Sequence, residues 1–170
     1  MKTFRYRLCI ILGLLLSISV YPQFIGNGSS ADVYVFFNFS SSTLTEVTKK
    51  QLDDVAEKLE NEPKLSIKVV GHADYIDKED FNQELSQKRS AKVAEYLVSK
   101  GISSDRISMA AYGETLPISN NESDLGRKLN RRVEIYFITE NEIDTNLSSL
   151  DQAVNSYKGK KIARKEESRK

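Results

Sequence analysis

Cysteine and histidine are nearly missing from this chain of 170 residues: there is one of each, and tryptophan is absent. A zinc centre of the usual Cys/His type takes about four such ligands, and a disulfide scaffold takes paired cysteines. Both are excluded, and no metal or cofactor is expected. Neither sign of charge dominates, with 25 Lys and Arg against 24 Asp and Glu. The basic footprint of a nucleic-acid binder is therefore lacking, and no nucleic-acid partner is expected. Only one long apolar run occurs, residues 8–20. As a helix it would rise about 20 Å, short of a hydrocarbon core of about 30 Å. An outer-membrane barrel needs at least about eight strands of roughly ten residues, more than the rest of the chain supplies. What remains is 39% hydrophobic and 29% charged, the balance of one globular domain.

Lys2, Arg5 and Arg7 stand before the apolar run. A positive start followed by a short apolar core reads as a secretory signal over residues 1–22, with an uncleaved N-terminal anchor as the other reading. Cys9 lies early in the run, whereas a lipid-bearing cysteine would stand at its end. Residues 23–31, with Gly26, Gly28, Ser29 and Ser30, read as a linker. Once the leader is set aside, acids outnumber bases in residues 32–140, while the tail 158–170 is strongly basic and expected to be disordered.

The folded body is expected over 32–140. Residues 33–39 are β-branched and aromatic, a strand signature. Thr43 with Glu46 fits a capping box, and Leu52, Val55, Ala56 and Leu59 then repeat at helical spacing over about 44–60. Leu65, Ile67 and Val69 alternate with polar residues up to Gly71, a second strand. Phe81, Leu85, Val93 and Leu97 mark a second helix ending before Gly101. A short strand over 106–112 and a loop over 113–123 follow. Residues 124–130 read as a helical turn, and Val133, Ile135 and Phe137 alternate along a last strand, 132–139. The order β-α-β-α-β-(α)-β predicts an α/β fold, an α+β sandwich in which a mixed four-stranded sheet carries helices packed on it. Beyond it, Ile143, Leu147, Leu150, Val154 and Tyr157 form one apolar seam at helical spacing over 141–157. That helix either docks on its own domain or meets an envelope protein partner or a second copy through 143–157.

Two groups suggest a binding site. Asp74 stands where the second strand becomes a loop. Arg89 lies four residues after Leu85 and four before Val93, so it shares the apolar side of the second helix. A guanidinium there needs an anion: Asp74 in an ion pair, or a ligand carboxylate. Asp74, Asp77, Glu79 and Asp80 lack the Gly and final Glu of a calcium loop; their acids suit the start of the following helix. His72 and Asp74 share one side of an extended strand, but no nucleophile-elbow sequence accompanies them, and no enzymatic activity is expected.

The series Gly71-His72-Ala73-Asp74, Asn82-x-x-Leu85-Ser86-x-x-Arg89, Tyr112-Gly113-Glu114, Gly126-Arg127 and Asn130-Arg131-Arg132-Val133-Glu134 resembles the OmpA-like peptidoglycan-binding domain family of OmpA, Pal and MotB proteins, over residues 33–137. The resemblance implies non-covalent binding of peptidoglycan through the diaminopimelate of its stem peptide, and a periplasmic, cell-wall-associated protein at the outer membrane. It implies that Asp74 takes the ammonium of that residue and Arg89 its carboxylate, with Asn82 and Leu85 lining the groove. It further implies a basic contact from Arg131 and a polar one from Ser40. Alanine at Asp74 or Arg89 would then abolish retention on the wall with the fold intact. The loop Asp74-Tyr75-Ile76-Asp77 lacks the glycine usual in the family's Asp-x-x-Gly, Ala73 replaces the usual Thr, and Ser90 the usual Ala. The alternative is a protein-interaction module whose ligand site has degenerated.

Overall fold

The computed structural model describes residues 30–139. The expected leader 1–22, nearly all of the linker 23–31, the helix 141–157 and the tail 158–170 lie outside the described residues. The body runs β1 (Val33–Phe36), α1 (Glu46–Asn61), β2 (Ser66–Gly71), α2 (Glu79–Ser99), a single 3-10 turn (Ser104–Arg106), β3 (Ile107–Ala111), α3 (Asp124–Asn130) and β4 (Arg132–Ile138). The sheet order is β1-β4-β2-β3. β4 lies antiparallel to both β1 and β2, and β2 lies parallel to β3. This is the mixed four-stranded α+β fold that the pattern predicts.

Alternating side chains build the core on one sheet face. Val35, Ile67, Val69, Val133 and Ile135 meet Leu52, Val55 and Leu59 of α1 and Val93 and Leu97 of α2. Two local expectations are corrected. The cap of α1 is Thr45, whose hydroxyl accepts from the Thr48 amide at 3.2 Å, and not Thr43. Leu44 packs against the core, which delays helix entry, and Glu46 instead pairs with Lys49. In α2, Phe81 is exposed and Asn82 takes the inward position. The Asn82 amide there donates to the Asp77 carbonyl at 2.9 Å and to Glu114 Oε2 at 2.8 Å, bonds that offset its burial. Glu79 and Asp80 occupy the first turn of α2, where the helix dipole favours acids.

Gly71 sets how closely α2 approaches β2. A Cβ at that position would lie 2.0 Å from the Ser86 carbonyl oxygen, backbone that cannot yield without moving the helix. Gly71→Ala is therefore expected to lower the melting temperature by roughly 5–10 °C, the effect of about 2 kcal/mol of overpacking. A thermal melt followed by circular dichroism checks this; an unchanged melt would mean that α2 shifts freely.

The two ends of the sheet differ. At one end β1 begins and β4 finishes, joined where the Phe137 amide donates to Asp32 Oδ2 at 2.8 Å. At the other, β1 and β2 finish and β4 begins, and the loops after β1, β2 and β3 gather with α3.

Candidate functional site

Each polar residue of the α2 motif holds a loop at this end. Ser86 Oγ accepts from the Gly113 amide at 3.0 Å, and the Ala73 amide donates to the Gly113 carbonyl at 2.8 Å. Arg89 is fully buried and reaches three carbonyls: His72 through Nη1 at 2.8 Å, Ser41 through Nε at 2.9 Å and Asn38 through Nη2 at 3.1 Å. Its guanidinium also lies 5.3 Å from the centre of the Phe37 ring. Burial lowers its pKa to about 10, against the opposing pull of Asp74 and with a further push from Arg131; it stays a cation at neutral pH. The loop it grips turns through Ser40, an exposed residue with φ of 48°, a left-handed conformation that costs a non-glycine residue about 1 kcal/mol or more.

Asp74 is buried and paired, but with Arg131 and not with Arg89. Arg131 Nη1 donates to Asp74 Oδ2 at 2.7 Å, and Nε reaches the Phe37 carbonyl at 3.3 Å. Arg131 also lines an open pocket of 340 Å³ with Phe39, Ile76, Asp124, Arg127 and Lys128. The expectation of Asp74 and Arg89 facing each other across an open groove is thus revised. Arg89 supports the site from behind, and Arg131, largely buried, is the paired cation that lines the pocket. Arg131 caps α3 and Arg132 opens β4, so their side chains leave on opposite sides. Arg132 turns to Glu134 and to the Leu116 carbonyl.

Of the six residues singled out, Asp74, Arg131 and Arg89 cluster at the strand ends. Asn82 and Leu85 are buried on the adjoining turn of α2, and Ser40 is exposed on the β1–α1 loop, next to the pocket residue Phe39. Phe39, Ile76, Arg127 and Lys128 were not anticipated as lining residues. A signal was present: two apolar side chains in otherwise polar loops, and a basic cluster over 127–132. α3 presents them because Gly126 lets it approach the preceding loop. A Cβ on Gly126 would lie 1.7 Å from the Asn120 carbonyl oxygen. Asn130 fixes the same loop, accepting from the Ile118 and Ser119 amides at 2.9 and 3.0 Å.

The OmpA family profile matches residues 36–131, more than half of the chain. The chain belongs to the OmpA family. Outer membrane protein A of Bordetella avium is 42% identical over 103 residues, covering 61% of this chain and 53% of that protein. The chain spans about half or less of the length of the curated relatives it matches. Among solved structures, the C-terminal domain of Helicobacter pylori MotB superposes with a TM-score of 0.60 at 26% identity, covering 73% of this chain and 95% of that one. The peptidoglycan-associated lipoprotein of Burkholderia pseudomallei gives 0.60 at 23% identity, over 62% of this chain and 89% of that one, and shares the fold. The Bordetella relative is named an outer membrane protein and the Burkholderia one a peptidoglycan-associated lipoprotein. Among the described residues of this OmpA-family domain, no helix is long and apolar enough to cross a membrane.

His72 of the Gly-His-x-Asp segment does not meet Asp74. It turns to the opposite sheet face, where Nε2 lies 3.4 Å from Glu134 Oε2 and the ring centre lies 6.1 Å from that of Tyr112. Burial lowers its pKa below 6.5; Glu134 opposes this and Arg132 adds to it. Burial would raise the pKa of Glu134, but His72, Arg132 and the Tyr136 hydroxyl outweigh it and hold that carboxyl below its usual range. Because the His72 pKa is depressed in the fold, the unfolded chain binds more protons below 6.5. The stabilisation is therefore complete above that pH and is lost as the pH falls through the folded value. Stability, and with it the melting temperature, should fall as the pH drops below about 6.5, by at most ~1.4 kcal/mol of stability per pH unit. His72→Gln should flatten the profile there, since the chain has one histidine. An identical slope in both proteins would exclude His72 as its source.

Proposed function

We propose that this domain binds peptidoglycan non-covalently, taking the diaminopimelate of the stem peptide at the Asp74–Arg131 pair. The observation that carries the reading is the buried Asp74 carboxylate and the largely buried, pocket-lining Arg131 guanidinium held 2.7 Å apart at the edge of an open pocket. Diaminopimelate presents an ammonium and a carboxylate on one carbon. Each is the counter-ion of one member of the pair, so the ligand replaces one ion pair with two. Asp74 accepts the ammonium. The planar fork of Arg131 suits the carboxylate, and Lys128 adds positive potential for the other stem carboxylates, while Arg127 is paired with Asp124 at the pocket wall. Phe39 and Ile76 offer apolar contact to the stem's methyl groups. Arg89 places its charge behind Asp74 and pins the loops, and Asn82, Leu85 and Ser40 shape the surrounding groove. The peptidoglycan-associated lipoprotein among the structural relatives supports this assignment, as does the outer-membrane naming of the sequence relatives for a periplasmic place at the outer membrane.

Binding at one such site is weak, because charge-assisted bonds of about 1.5–3 kcal/mol each are offset by ordering the ligand. A polymer presenting many stems supplies avidity. Calorimetric titration with a diaminopimelate stem peptide and with its lysine counterpart tests the reading. Lysine lacks the second carboxylate, so its affinity should be at least about tenfold lower, the equivalent of ~1.4 kcal/mol. Equal affinities, or no binding of either, would overturn it.

A further inference from the structure

Three cations line the pocket beside Asp74, namely Arg127, Lys128 and Arg131, and two of them are committed. Arg131 is paired with Asp74 at 2.7 Å. Arg127 is paired with Asp124, and its Nη1 donates to the Asn121 and Glu122 carbonyls at 2.8 and 2.9 Å. Lys128 is exposed and makes no ion pair or hydrogen bond among the described residues. Its natural helical partner is Asp124, four residues earlier, but Arg127 holds that carboxylate. Asp77, the other acid of the loop after β2, does not line the pocket. Three cations thus face two carboxylates, Asp74 and Asp124, and the unmatched charge is that of Lys128. Arg89 adds to the excess from behind, close enough to Asp74 and Arg131 for its own protonation to respond to both. Lys128 stands three residues before Arg131, so both side chains rise from the same side of α3.

We propose that Lys128 is a specificity-determining residue, which selects stem peptides carrying a second free carboxylate beside the diaminopimelate head. The inference rests on the reading above, in which that head takes Asp74 and Arg131. An ammonium and a carboxylate on one carbon sum to zero charge, so the head occupies the pair and leaves Lys128 uncompensated. A further carboxylate completes the balance. The stem has two sources of it, its chain-terminal carboxylate and that of its glutamyl residue. A lysine suits either, because its ammonium is a point charge on a flexible chain, without the planar demand of a guanidinium. The pocket, open and 340 Å³ in volume, falls within the range of small-ligand sites, about 300–1,000 Å³. Amidation of the recognised carboxylate, or its consumption in a cross-link, hides the stem from the domain.

Calorimetric titration of the full chain with three ligands tests the proposal: the free-acid diaminopimelate tetrapeptide, its terminal carboxamide and its glutamyl carboxamide. At least one amide should bind about fivefold more weakly than the acid, the effect of an exposed ion pair of about 1 kcal/mol. The amide that does so identifies the source. Lys128→Gln should bind the acid about fivefold more weakly and lose the distinction between acid and amide, whereas Lys128→Arg should keep it. Equal affinities of the three ligands for the native protein would overturn the proposal. So would a Lys128→Gln variant that still prefers the acid. A lysine-containing stem separates this failure from that of the site itself. Preference for diaminopimelate over lysine, with no penalty for either amide, removes the role of Lys128 alone; no binding of any stem removes both readings.

Discussion

Arg89→Ala is expected to cost this domain about 4 kcal/mol and to lower its melting temperature by roughly 15 °C. The substitution leaves three carbonyls without their donor, the buried one of His72 and the part-buried ones of Ser41 and Asn38, and a carbonyl left unpaired in a buried setting costs about 1–3 kcal/mol. It also empties a large space at the centre of the site. Domains of this size are stable by only about 5–15 kcal/mol, so the loss is a large part of the total. The family resemblance implies instead that such a variant keeps its fold and loses only the ligand, and the melt separates the two expectations. Arg89→Lys should fall between the two, since one ammonium cannot serve three carbonyls in the plane of a guanidinium. A melt of Arg89→Ala within about 3 °C of the native protein would show that the loops hold without it.

Asp74→Asn should have the opposite profile, with a small change in melting and a large one in binding. An asparagine oxygen still accepts from Arg131, and Arg131 can turn into the solvent of the pocket. What disappears is the negative charge that a ligand ammonium requires. The loss of one charge-assisted bond, about 1.5–3 kcal/mol, corresponds to roughly 10–150-fold in affinity. Sedimentation with purified sacculi at fixed salt measures it. Retention equal to that of the native protein would remove Asp74 from the ligand, and a melt as low as that of Arg89→Ala would make it a framework residue. Retention that instead follows deletion of residues 158–170, and falls steeply with salt, would assign the binding to the basic tail.

Much of the fold is legible in the sequence because its elements obey simple periods. The step of 2 in Leu65-Ile67-Val69 and in Val133-Ile135-Phe137 and the step of 3 to 4 in Leu52-Val55-Leu59 each report one buried face. The errors have a shared cause. Phe81 looks like core and Asn82 like surface, yet two hydrogen bonds from Asn82 decide the orientation, and those partners, at Asp77 and Glu114, come from other elements. The candidate site follows the same logic. A charged side chain on an apolar stripe shows that Arg89 must be satisfied, but spacing cannot say whether carbonyls or carboxylates do it. Nor can it say that Arg131, remote in the chain, reaches Asp74 first. That pairing depends on β4 lying beside β2, a fact of sheet order that no local pattern contains.

The two poles of the sheet have a mechanical consequence. The chain enters β1 and leaves β4 at the end marked by Asp32 and Phe137, while Asp74 and Arg131 occupy the far end. Tension between a wall strand gripped at one pole and an envelope attachment at the other would run lengthwise along β1 and β4. Their four paired positions, from Val33 with Ile135 to Phe36 with Arg132, would then be sheared together and not peeled open one by one. If the domain binds the wall as proposed, this arrangement resists being drawn out along the direction of that pull.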